Sequence, residues 1–130
     1  MVECGELAAP LGLYSHVSSV KSGTPIYIAG QVGVDSQGRL VSPGDFSAQM
    51  RQTFENLGVA LKAAGGSFAD VAKFTTYITR DSDLATFMET RKEIFAKLYP
   101  SGGYPPNTLL VISRLVKPEL LIEIEAIAAV

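Results

Sequence analysis

One cysteine, one histidine and no tryptophan occur in these 130 residues. Cys4 has no second cysteine to pair with, so a disulfide framework within the chain is excluded and a reducing compartment fits. A structural zinc site needs about four Cys or His ligands, more than Cys4 and His16 supply. No HExxH, GxSxG, P-loop or GxGxxG pattern occurs. There is no basic run: 11 Lys and Arg stand against 13 Asp and Glu, for a net charge of −2. That balance argues against nucleic acid as a partner. No apolar stretch approaches the ~20 residues that span a bilayer, and the first residues lack the basic and apolar regions of a signal peptide. The expectations are a cytoplasmic location, no membrane, no metal and no cofactor. Chemistry then falls to carboxylates, hydroxyls, amides, Arg, Lys and backbone groups acting on water.

What is present is a folding chain. Hydrophobic residues make up 47% and charged residues 18%, against about 25% charged in an average domain. The length suits one domain, residues 1–130. Residues 1–13 read as a tether. Residues 15–20 and 25–29 read as strands around a turn at Lys21-Ser22-Gly23-Thr24. Ser42 is the expected cap of a first helix, with Pro43 at its first position and Asp45 in its first turn. Phe46, Met50, Phe54, Leu57 and Leu61 recur at helical spacing, and Gly65-Gly66 stops the run. Residues 71–79, rich in β-branched and aromatic side chains, read as a strand. Asp81 or Ser82 is the expected cap of a second helix. Leu84, Phe87, Met88, Arg91, Ile94, Phe95 and Leu98 line one side of it, and Pro100 lies just beyond. Strands at 107–113 and 120–130 complete the order β-β-α-β-α-β-β.

The last strand is apolar on both faces. Leu120, Ile122, Ile124, Ala126, Ala128 and Val130 share one face. Leu121, Glu123, Glu125 and Ile127 share the other. Two helices cover one face of a sheet, so the second face calls for another cover. The expected cover is further copies of this chain, with sheet packed on sheet.

Few residues are candidates for chemistry. Glu123 and Glu125 share a strand face, and a carboxylate among apolar neighbours has a raised pKa and can shuttle protons. An intersubunit salt bridge or plain edge solubility accounts for the same pair. Gly30-Gln31 at a strand end can present bare backbone N–H groups, or form a bulge. Asn107 and Thr108 open a strand after two prolines and offer neutral hydrogen bonds, or serve the turn. Tyr14 suits a pocket wall or simple packing. His16 has no partner cluster and reads as a packing or surface residue. Arg91 lies on the apolar stripe of the second helix, either snorkelling or gripping an anion.

The run Ala48-Gln49-Met50-Arg51-Gln52-Thr53-Phe54-Glu55-Asn56-Leu57 resembles the first-helix signature of the Rid (reactive intermediate deaminase) family, also called the YjgF or L-PSP endoribonuclease family. Ile28-Ala29-Gly30-Gln31-Val32, the stretch from Asp70 to Ile78, and the stretch from Ile122 to Ala128 resemble its other strands, in the right order from Ala9 onward. The resemblance implies a chorismate-mutase-like α+β fold: a mixed sheet with two helices on one face, in a homotrimer with its sheets packed at the centre. Small-molecule ligands would bind in clefts between subunits. It implies hydrolysis of reactive enamines or imines without metal or cofactor. The family's water-activating glutamate falls on Glu123, its pocket tyrosine on Tyr14, its strand-end glycine on Gly30 and its hydroxyl residue on Thr108.

Four positions depart from the pattern, one of them the family's common cysteine, which falls on Leu109. The family's substrate-gripping arginine falls on Asn107, a pocket asparagine on Met88 and a tyrosine on Arg91. Losing that arginine removes charge-assisted hydrogen bonds of about 1.5–3 kcal/mol each when desolvated. Arg114 cannot replace it, being seven residues, or ~23 Å, further along an extended chain. Substrates less anionic than 2-iminoacids are therefore expected. The expected binding residues are Tyr14, Gly30, Gln31, Met88, Arg91, Asn107 and Thr108, with Glu123 catalytic. A trimer that binds a small metabolite without turnover is the alternative, and ribonuclease action is disfavoured by the charge balance.

Overall fold

A computed structural model describes residues 1–130. Six principal elements follow the chain: β1 (Pro25–Val32), α1 (Phe46–Ala63), β2 (Val71–Ile78), α2 (Leu84–Leu98), β3 (Asn107–Val111) and β4 (Ile122–Ala129). The four strands form one sheet in the order β1-β4-β2-β3. β4 runs antiparallel to both its neighbours, and β2 pairs in parallel with β3 across the α2 crossover. The sheet is thus mixed, as expected.

The alternation of β4 decides which face the helices cover. Ile122, Ile124, Ala126 and Ala128 are buried with Phe74 and Ile78 of β2. Onto them pack Met50, Phe54, Leu57 and Leu61 of α1 and Phe87 and Phe95 of α2, in a single cluster. Phe54, Phe74 and Phe95 meet with ring centroids about 6 Å apart, a spacing at which aromatic pairs contribute beyond their buried area. Truncating Leu57 or Leu61 to Ala in such a core costs about 2–5 kcal/mol.

The opposite face carries no helix. Tyr27 on β1 is 77% exposed and pairs across the ladder with Ile127, which is 42% exposed. Polar pairs continue the same face: Lys73 Nζ donates to Thr108 Oγ1 at 2.6 Å, and Tyr77 Oη donates to Glu125 Oε1 at 2.9 Å.

Local details depart from the expected elements. Residues 15–20 form no strand. Val17 makes one isolated bridge to Val2, and the Ser18 hydroxyl donates to the Ala72 carbonyl. Instead of closing a hairpin, the turn at Gly23 (φ 106°) delivers Thr24 to Val130, where two backbone bonds start the β1–β4 ladder. The first helix begins later than Ser42. Ser42 and Gly44 both adopt positive φ, the chain turns there, and Asp45 becomes the cap, accepting from the Ala48 N–H at 3.0 Å. A single 3-10 turn, Asp81–Asp83, precedes α2. Neither Asp81 nor Ser82 caps α2. The residue at its cap, Asp83, makes no capping bond, because Arg80 holds both its oxygens at 2.7 and 3.1 Å.

Candidate functional site

Glu123 sits near the start of β4, facing the helix-free side. A bulge between Ile28 and Gln31 brings Gly30 against it. A Cβ at Gly30 would fall 2.1 Å from Glu123 Oε1, so only glycine leaves room for the carboxyl. The carboxyl makes no hydrogen bond or ion pair within the chain; its neighbour Glu125 is instead the one engaged, by Tyr77. Desolvation, and then the nearby Glu125 charge, raise the Glu123 pKa above its ordinary value. A carboxyl shifted in this direction holds its proton more readily than an exposed glutamate and is suited to taking and returning one.

Two amides from α1 fix the strands that carry this pair. Gln49 is fully buried. Its Nε2 donates to the Glu119 carbonyl at 3.2 Å, and its Oε1 accepts from the Leu121 N–H at 2.9 Å. Asn56 Nδ2 donates to the carbonyls of Val32 and Val34, both at 2.9 Å. Gln49 thus sets the approach to Glu123, and Asn56 sets the chain just after Gly30. Gly33 permits the close packing, since a Cβ there would meet the Gln49 backbone at 2.8 Å. Sequence reasoning missed these positioning roles. The available signal was two amides among the apolar positions of α1.

A second group forms on α2. Arg91 is 3% exposed. Its guanidinium carbon lies 4.9 Å from the Phe87 ring centroid, and its Nη2 reaches the Met88 sulfur at 3.2 Å. Its Nε is buried with no acceptor. None of the chain's three ion pairs involves it. Burial lowers its pKa, with the Tyr14 hydroxyl a smaller opposing influence. The backbone at Gly12 lies across the guanidinium, so close that a Cβ there would be 2.6 Å from Nη2. Tyr14 Oη accepts from the Leu11 N–H at 3.3 Å, and its ring meets that of His16 edge-on, 5.9 Å between centroids. His16 Nε2 bonds to the Ala8 carbonyl at 2.7 Å, a packing role for that histidine.

The expected site residues therefore fall into two groups. Gly30 and Glu123 meet on the helix-free side; Tyr14, Met88 and Arg91 meet at α2. Asn107 joins neither by a hydrogen bond: its Oδ1 accepts from the buried Thr76 hydroxyl at 2.8 Å, on the helix side of the sheet. Thr108, next along β3, faces the other way toward Lys73. Gln31 does not face Glu123. It pairs with Ile124, bonds the Ala29 carbonyl at 3.1 Å and borders a groove with Asn56 and Val59. The bulge at Gly30 turns its side chain toward α1, away from the Glu123 group. Met88 is 41% exposed. Arg114 donates to the Leu115 and Val116 carbonyls of its own loop, both at 3.0 Å. No three His, Cys, Asp or Glu side chains gather into a metal-holding set, and no helix is long and apolar enough to cross a membrane.

Comparison with known proteins adds independent findings. The family model described as endoribonuclease L-PSP matches residues 6–130. A RutC family protein of Pyrococcus horikoshii is 39% identical over 119 residues, covering 92% of this chain and 88% of its own. The 2-iminobutanoate/2-iminopropanoate deaminase of Rattus norvegicus is 36% identical over 129 residues, covering 98% and 88%. Among solved structures, a Rid-family protein of unknown function from Yersinia pestis superposes with a TM-score of 0.89 at 35% identity, covering 100% of this chain and 98% of that one. The TdcF protein of Escherichia coli, crystallised with bound serine, superposes with a TM-score of 0.72 at 31% identity, covering 99% and 97%.

Proposed function

Because this chain belongs to the endoribonuclease L-PSP family, also known as Rid or YjgF, we propose that it hydrolyses a small reactive imine or enamine at a site built around Glu123. One observation carries the reading: a carboxyl with a raised pKa, free of intrachain partners, held over a bare glycine by two clamped strands. Deaminase relatives at this level of identity support it.

The chemistry needs nothing beyond water and a proton shuttle. An enamine first takes a proton on carbon and becomes the imine. Glu123 accepts a proton from water as the oxygen bonds to the imine carbon. Glu123 returns that proton to nitrogen, giving a neutral carbinolamine. It then takes the carbinolamine hydroxyl proton and passes it to the same nitrogen, so that the C–N bond breaks, the carbonyl forms and ammonia leaves. A positioned general base of this kind contributes about 10²–10⁴-fold.

The site is completed by further copies of the chain. Within one subunit Glu123 meets Gly30 and Arg91 meets Met88 and Gly12, while Tyr27 and Ile127 leave apolar surface on the face that bears Glu123. A homotrimer with its sheets at the centre covers that surface and sets the clefts between subunits.

The test is release of ammonia from imines made in place by an amino-acid oxidase. The protein accelerates it, and Glu123→Gln removes about 10²–10⁴-fold of the acceleration. No acceleration with either acidic or neutral imines overturns the enzyme reading; a ligand held at the interface without turnover would leave a binding protein.

A further inference from the structure

Arg91 is the most anomalous side chain in the molecule. A guanidinium stays charged in essentially any protein setting, and a buried charge is tolerated when a carboxylate or several acceptors face it. Arg91 has neither. The Met88 thioether is a weak acceptor and the Phe87 ring a partial compensation. Its Nε has nothing at all.

The missing partner can be described from the groups that await it. The unsatisfied Nε and the weakly engaged Nη2 belong to one planar donor fork, matched by the two oxygens of a carboxylate. The two neighbours of Nη2 both permit entry. Met88 is half-exposed, unbranched and able to swing aside. Gly12 presents no side chain, and any other residue there would press on the guanidinium.

We propose that Arg91 is a specificity-determining residue that takes the carboxylate of a small organic acid, so that anion recognition in this chain comes from α2 and not from the β3 edge. The preferred substrates are then imines that carry a carboxylate, contrary to what Asn107 alone suggests. The choice of imines rests on the deaminase reading; the carboxylate site does not.

The experiment separates the two. Binding of 2-oxobutanoate and of uncharged butanone to the full protein is followed by calorimetry and by the shift in thermal midpoint. Wild type binds the oxoacid more tightly. Arg91→Met weakens the oxoacid by about ten- to a hundredfold, the loss of one or two charge-assisted hydrogen bonds, and leaves butanone unchanged. Gly12→Ala, which displaces the guanidinium without removing it, lowers oxoacid affinity in the same direction. Without ligand, Arg91→Met melts no lower than wild type, because it removes an unpaired buried charge. Equal oxoacid binding by wild type and Arg91→Met overturns the proposal. So does dissociation of the oligomer by Arg91→Met with oxoacid affinity intact, which assigns the guanidinium to a partner's carboxylate. Arg91-dependent oxoacid binding with no imine turnover supports the site and rejects the deaminase reading. Glu123-dependent turnover indifferent to Arg91 does the reverse.

Discussion

The two halves of the candidate site are built in opposite ways. Around Glu123 the backbone is pinned: Gln49 and Asn56 satisfy four backbone groups of the flanking chain, and the carboxyl is left partly open to water. Around Arg91 the charge itself is buried, and what lies over it is movable: a glycine, a thioether and a tyrosine on an irregular segment. On the roles proposed for them, the contrast is a division of labour. A proton shuttle needs fixed geometry and contact with water, whereas an ion grip gains strength from a dry setting and needs a cover that yields.

This contrast can be broken at either end. The largest stability effect is expected from Gln49→Leu. It keeps volume but orphans the Glu119 carbonyl and the Leu121 N–H, at about 1–3 kcal/mol for each buried group. Thermal melting should fall by about 10 °C. A change of less than a couple of degrees would show that the clamp is redundant.

Gly30→Ala should act on turnover rather than folding. The new methyl must push the Glu123 carboxyl aside, so kcat falls by at least about tenfold, as misplacement of a catalytic group costs. The melting point should move little. Unchanged kcat would remove Gly30 from the site.

Asn107→Ala should matter only modestly. It leaves the Thr76 hydroxyl without its acceptor, a loss of about 1 kcal/mol, read by denaturant titration. A fall in oxoacid affinity matching that of Arg91→Met would return anion recognition to β3.

The smallest effect is electrostatic. Glu123 binds its proton more tightly in the folded chain than in the unfolded one. Between the ordinary glutamate pKa and the raised one, the native state therefore holds more protons, and stability falls as pH rises through that window. Glu123→Gln should flatten this decline and melt relatively higher at neutral pH than at acid pH. Parallel melting curves across the window would contradict the shift.

Much of this architecture was legible in the sequence. The alternation Ile122, Ile124, Ala126, Ala128 against Glu123, Glu125, Ile127 assigned the two faces of β4. The helical spacing from Phe46 to Leu61 located α1, and the stripe of α2 placed Arg91 inside. Residues 15–20 misled because their composition suits a strand, but the Gly23 turn hands the ladder to β4 instead. The start of α1 misled because positive φ at Ser42 and Gly44 inserts a turn before the cap. Gln49 bonds to backbone some 70 residues away; the local pattern sets the amide among apolar positions but does not name so distant a partner. The solitude of Arg91 was illegible for the same reason, since a lack of partners is a property of the folded whole.

The placement of Glu123 and Arg91 in separate groups has a kinetic corollary. If a working crevice needs two polypeptides, each brings half of it, and catalytic output per milligram depends on dilution. Progress curves at falling protein concentration would drop more steeply than in proportion, and mixing a subunit disabled at one group with one disabled at the other would restore some intact crevices. Two inactive preparations would together regain a rate that neither has alone.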